Sequence, residues 1–247
     1  MQDPARDNTP GGETAAVASP TISAVLAEYL ADEKARLAAK TYGLYADVIE
    51  LLQHSLNGYA ANSLDKGEYA LWEQHFDAKG EQHGEFCDIF GPEHILPNVG
   101  EFLNYFMTRK VMAGQDLMRA SGTVTKKLAK WLAAKRYATA DEAADAVERG
   151  TDAARDLPMA EKLTALLYEF TSSKYSPDDA DIEDQFEIKR VESGKVWLAG
   201  FDDGRLLGPI SLPPHATKLC RVGWTISGAV REIGKKCVLV EAWKVYP

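Results

Sequence analysis

The sequence predicts an α+β protein, with a helical N-terminal domain followed by a small five-stranded β-barrel. Three observations predict it. Apolar residues recur at helical spacing from Ile22 to Phe170, the period changes to strand alternation from Gln185 onward, and glycine-containing turns divide that last part into five strands. At 247 residues with 45% hydrophobic content, the chain can bury a sizeable core.

Residues 1–20, "MQDPARDNTPGGETAAVASP", hold almost no large apolar side chains and are expected to be disordered. The helical domain spans 21–138. Ile22, Leu26, Tyr29 and Leu30 mark its first helix, and Leu44, Val48, Leu51, Leu52 and Leu56 a second, stopped by Asn57 and Gly58. A turn-rich insertion follows over about 60–97. Asn98 and Glu101 then read as a capping box ahead of Phe102, Leu103, Phe106 and Lys110. In "SGTVTKKLAKWLAAKRY" Val124, Leu128, Trp131 and Leu132 share one helix face, and Lys126, Lys127 and Lys130 the other.

Residues 139–184 form an acidic connector. Thr139 and Glu142 cap a helix that is expected to end near Gly150; Pro158 opens another with Leu163, Leu166, Leu167 and Phe170 as its stripe, and "SSKYSPDDADIED" reads as a linker. The barrel covers 185–247. Its strands are "FEIKRV", "KVWLAGF", "GRLLGPISL", "VGWTISGAV" and "KCVLVEAWKVY", turned at Ser193-Gly194, Asp203-Gly204 and Ile233-Gly234, with "PPHATKL" as a helical bridge. This size fits an OB-like or SH3-like barrel, and the position of the bridge favours the former.

The formal net charge of -9 hides a sorting of charges along the chain. Residues 101–136 carry 8 Lys+Arg against 2 Asp+Glu, whereas 137–184 carry 4 against 13. Surfaces therefore matter more than the total. No apolar run approaches the roughly 20 residues of a membrane span and no leader pattern is present, so a cytoplasmic protein without membrane contact is expected. Cys87, Cys220 and Cys237 are too few and scattered for a disulfide framework.

The stretches "AAKTYGLYADVIELL", "NVGEFLNYFMTRKVMAG" and "SGTVTKKLAKWLAAKRY" resemble the SAM-like, core-binding domain of phage integrases, the tyrosine recombinases, over residues 21–138. The resemblance implies a DNA clamp with Lys126, Lys127 and Lys130 as its contact face, helped by Arg109, Lys110 and Arg119. It stops at that domain. The paired arginines, H-x-x-R motif and tyrosine nucleophile of the family's catalytic domain have no counterpart, "HATK" placing Lys218 where an arginine belongs.

Two further sets of residues suggest binding. Lys189, Arg190, Arg205 and Arg231, interleaved with Trp197 and Trp224, supply the cations and aromatics of a single-strand stacking platform on the barrel, or of a protein-docking face. His75, His83, Cys87 and His94 fall in one turn-rich segment, but their spacing matches no zinc motif, so no metal and no other cofactor is expected. Nucleotide-binding, hydrolase and metalloprotease motifs are absent, which points away from an enzyme. The partners expected are nucleic acid first, and otherwise a protein or a second copy of the chain.

Overall fold

The computed structural model describes residues 17–247 apart from 177, 179 and 235, and has the expected α+β architecture. The disorder expected for the N-terminus falls mostly outside the described residues. Where it does not, the chain is anchored, because Ala18 N–H donates to the Ile89 carbonyl at 2.8 Å.

Helix α1 is Ile22–Lys34, capped by the Thr21 hydroxyl, which accepts from Ala24 N–H at 3.3 Å. Helix α2, Ala39–Tyr59, runs through Asn57 and Gly58 for one further residue. The segment from 60 to 97 contains α3, Lys66–Phe76, started by an Asp65/Glu68 capping box, and the single turn α4, Phe86–Ile89. It shares the helical core, to which Phe86, Cys87, Ile89, Phe90, Ile95 and Leu96 contribute.

The expected Asn98/Glu101 capping box is absent. The chain is already wound as a 3-10 turn at Leu96–Asn98, so no free first-turn amides await a cap, and the buried Asn98 amide donates instead to the His94 carbonyl at 2.8 Å. Glu101–Phe106 is a π-turn leading into α5, Met107–Arg109. Helix α6, Gln115–Lys135, ends on left-handed Arg136, and the Thr139/Glu142 box opens α7.

Helix α7 corrects the reading of the connector. In place of two short helices it is one helix of 33 residues, Ala140–Ser172, with both Gly150 and Pro158 inside. Gly150 serves close packing and not termination: a Cβ added at Gly122 of α6 would lie 2.5 Å from the Gly150 oxygen and 2.3 Å from Ala154 N. Pro158 removes one hydrogen bond, to the Ala154 carbonyl, yet is itself buried at the point where α7 passes between two cores. Ala143, Ala146, Ala153 and Leu157 belong to the helical core, and Ala160, Leu163 and Leu167 to the barrel's.

The barrel comprises β1 Ile182–Glu192, β2 Lys195–Gly200, β3 Leu206–Ser211, β4 Thr225–Ile233 and β5 Lys236–Tyr246, with a helical turn α8, Pro214–Thr217, between β3 and β4. It starts three residues before the expected boundary at 185, because Ile182 already pairs with Val230. The closed order is β1-β2-β3-β5-β4, in which β3 meets β5 in parallel at Ile210 and Cys237 and every other pair is antiparallel. This Greek-key order is that of the OB-like alternative. Phe186, Ile188, Val196, Leu198, Ile210, Ile226 and Leu239 fill its interior, and α7 lies against β5 with the Thr164 hydroxyl accepting from Val245 N–H at 2.9 Å. Among the described residues, no helix is long and apolar enough to cross a membrane.

Candidate nucleic-acid interface

Helix α6 is built on two opposed faces. Met118, Val124, Leu128, Ala129 and Leu132 are buried, together with Ser121, Gly122 and Thr125. At about 100° per residue, Arg119, Lys126 and Lys130 fall within roughly 40° of one another, and Lys127 lies beside them. Arg119, Lys127 and Lys130 are exposed, while half-buried Lys126 rests against α7, its Cβ 3.2 Å from where a Gly150 side chain would begin. Among the described residues, none of these four cations forms an ion pair.

The acidic residues of α7 do not answer that face. Asp145 pairs with Arg149 at 2.7 Å, and Asp152 and Asp156 both pair with Arg155, at 2.9 and 2.8 Å, all within α7. Each such pair closes between neighbouring turns or residues of one helix and is worth only a few tenths of a kcal/mol. The consequence is electrostatic: three of the six carboxylates between 140 and 156 are held within α7 by its own two arginines.

Lys135, at the end of α6, behaves differently. Its Nζ lies 2.7 Å from Glu28 and 3.1 Å from Asp32 of α1, while Trp131 Nε1–H donates to Asp32 at 2.9 Å and the Tyr137 hydroxyl to Glu28 at 3.0 Å. The Lys135 ammonium and the Tyr137 hydroxyl hold the Glu28 carboxyl below its ordinary value of 4.5, and Trp131 and Lys135 hold Asp32 below 3.8. Depressed carboxylates stabilise the fold above their unfolded-state values, and that contribution is lost as pH falls through the lower folded-state values. Glu28→Gln is therefore expected to lower Tm slightly at neutral pH and to flatten the acid limb of a Tm-against-pH curve, the two proteins converging as pH falls below about 4.5.

Arg109 and Lys110 lie off α6, Arg109 as the last residue of α5 and Lys110 on the turn that follows it. Arg109 sits 4.1 Å above the Tyr246 ring of β5 and hydrogen-bonds Gln185 of β1 at 3.5 Å. They face a cleft between the helical part and the barrel. The six cations expected to act together thus divide into an α6 stripe of four and a cleft pair.

The barrel set is largely spent on internal contacts. Lys189 pairs with Glu187 at 2.6 Å, Arg190 with Glu192, and Arg205 with Glu232. Arg190 also lies 4.4 Å over the Trp197 ring. Trp224 is 6% exposed and belongs to the core, which corrects its place in a surface platform; Arg231 is half-buried. Strand alternation alone could not distinguish the faces, because bulges between Ile188 and Arg190 and between Ser227 and Gly228 shift the register.

The histidine-rich segment does not converge. His94 meets Glu68 at 3.3 Å and packs edge-on to Phe86 and Phe90, His83 Nδ1 lies 2.9 Å from the Phe76 carbonyl, and the buried Cys87 thiol, its pKa pushed up by desolvation, donates toward Gln53 O at 3.8 Å. Among the described residues no group of three or more His, Cys, Asp or Glu is arranged to hold a metal ion. The sequence reading missed Tyr105 and Met112 of the cleft; nothing in "NYFMTRKVMAG" marks which side chains will face the barrel. No family model, curated protein or solved structure matches this chain.

Proposed function

We propose that this is a cytoplasmic nucleic-acid-binding protein without catalytic activity of its own, and that Arg119, Lys126, Lys127 and Lys130 contact phosphates. One observation carries the reading: among the described residues these cations have no carboxylate partner, although the next helix in the chain is strongly acidic. A row of cations left open on a rigid helix neutralises phosphates at little ordering cost, because its backbone is already held by the core. The resemblance of residues 21–138 to an integrase core-binding domain favours duplex DNA as the target. Three buried free cysteines accord with a reducing compartment.

Fluorescence anisotropy of a short labelled duplex across a salt series tests the reading. The unaltered chain is expected to bind with a steep salt dependence. Changing Lys126, Lys127 and Lys130 together to Glu is expected to weaken binding at least 100-fold and to reduce the log–log salt slope by about 2 to 3. Equal binding by the two proteins would overturn it.

A second reading, a protein-interaction scaffold, draws on one specific feature. Tyr168 of α7 and Trp243 of β5, 64% and 46% exposed, line one shallow depression, an aromatic pairing suited to a protein partner. A salt-insensitive association abolished by Tyr168→Ala with Trp243→Ala would favour it.

A further inference from the structure

A cleft of about 680 Å³ opens between the end of α5, the turn that follows it and the end of β5. That volume lies in the range of small-ligand sites. Its polar wall carries three cations. Lys244 is answered by Glu161 of α7 at 2.5 Å, which leaves Arg109 and Lys110 as charges without a carboxylate partner among the described residues.

Both are held by aromatic rings instead. Arg109 lies 4.1 Å from the Tyr246 centroid and 5.9 Å from that of Tyr105, and Lys110 lies 5.6 Å from Tyr105. Tyr105 is itself set by edge contact with Tyr59, 5.5 Å between centroids. A ring face fixes a cation without neutralising it, so the guanidinium keeps its charge and most of its N–H donors for an anion. The π-turn at Glu101–Phe106 brings these residues to the cleft, and such turns recur at functional sites.

Part of the lining is apolar. Val111, Met112 and Ala113 follow Lys110 directly and line the same cleft, with Met112 fully exposed. An isolated methionine at full exposure contributes nothing to folding stability, whereas its flexible thioether packs well on a flat ring.

We infer that this cleft binds one nucleotide unit, its phosphate on Arg109 and Lys110 and its base against Met112. This deepens the nucleic-acid reading by adding a site separate from the α6 stripe. The phosphate and base come either from an unpaired stretch of a polynucleotide or from a free nucleotide. Their chemistry is shared, and the two sources are separated by measurement.

The test uses the full chain and four probes: a labelled thymidine 15-mer single strand, the same strand paired as a duplex, ATP, and inorganic triphosphate. Binding of the 15-mer or of ATP is expected, weakened at least 10-fold by Lys110→Glu and about 3-fold by Met112→Asp, with triphosphate weaker than ATP. Both variants alter exposed side chains, and their folding is checked by circular dichroism. In the variant with Lys126, Lys127 and Lys130 changed to Glu, where the α6 stripe no longer contributes, a 15-mer bound more tightly than ATP assigns the site to polynucleotide, and the reverse assigns it to free nucleotide. Changing Lys126, Lys127 and Lys130 to Glu is expected to leave ATP binding unaltered, so failure of the α6 reading, seen with the duplex, is distinguished from failure here. No binding of the 15-mer or ATP at low salt, binding indifferent to Lys110→Glu, or triphosphate bound as tightly as ATP would each overturn the inference.

Discussion

Gly122→Leu is expected to destabilise the protein by about 3 kcal/mol or more, at the upper end of what overpacking costs. A Cβ at Gly122 meets backbone on the facing helix, Ala154 N at 2.3 Å and Gly150 O at 2.5 Å, so no side-chain rotamer can relieve it. The two helices must separate. That movement opens the packing of Val124, Leu128 and Leu132 against Ala146, Ala153 and Leu157, all within one core. Urea unfolding followed by circular dichroism measures the effect as a fall in midpoint. Gly150→Ala is expected to act in the same direction but more weakly, since its Cβ would meet Gly122 O at 2.7 Å and Lys126 N at 3.0 Å. A midpoint unchanged in Gly122→Leu would mean that the crossing of α6 and α7 is looser than these distances describe.

Leu163→Ala carries the second large effect, about 2 to 5 kcal/mol for removing a buried leucine and leaving a cavity. Leu163 is fully buried and belongs to the barrel core, although it lies on a helix that begins in the other core. The barrel is thus completed by the second half of α7. A fragment beginning at residue 176 is accordingly expected to remain unfolded, while one beginning near 159 folds, as judged by dispersion of its amide NMR spectrum. Equal folding of both fragments would show that the α7 stripe is not needed by the barrel.

The continuity of α7 also explains why the connector was hard to read. Glycine and proline inside a helical pattern ordinarily signal its end, because each weakens the helix on its own. Here Gly150 permits the closest approach to α6, and the packing of flanking residues into two cores outweighs the propensity cost. The Asn98/Glu101 box failed for a related reason. A cap can form only where a helix starts, and the chain before Asn98 was already helical. The Thr139/Glu142 box formed because Arg136 in left-handed conformation breaks the chain just ahead of it.

What the sequence determined by itself is local. The amphipathic face of α6, the Thr139 cap, the five strands and their glycine turns all follow from periodicity and turn chemistry within a few residues, and each is present, β1 and β4 with boundaries shifted by about three residues. What only the tertiary structure decided is neighbourhood. Lys135 is taken by Glu28, 107 positions away, Arg205 by Glu232, and Arg109 by Tyr246, whereas Arg119, Lys126, Lys127 and Lys130 have no ion-pair partner among the described residues. Periodicity tells which way a side chain points from its own helix or strand, but the availability of a charge depends on what folds opposite it, and Coulomb interactions between groups far apart in sequence exist only once the chain has closed.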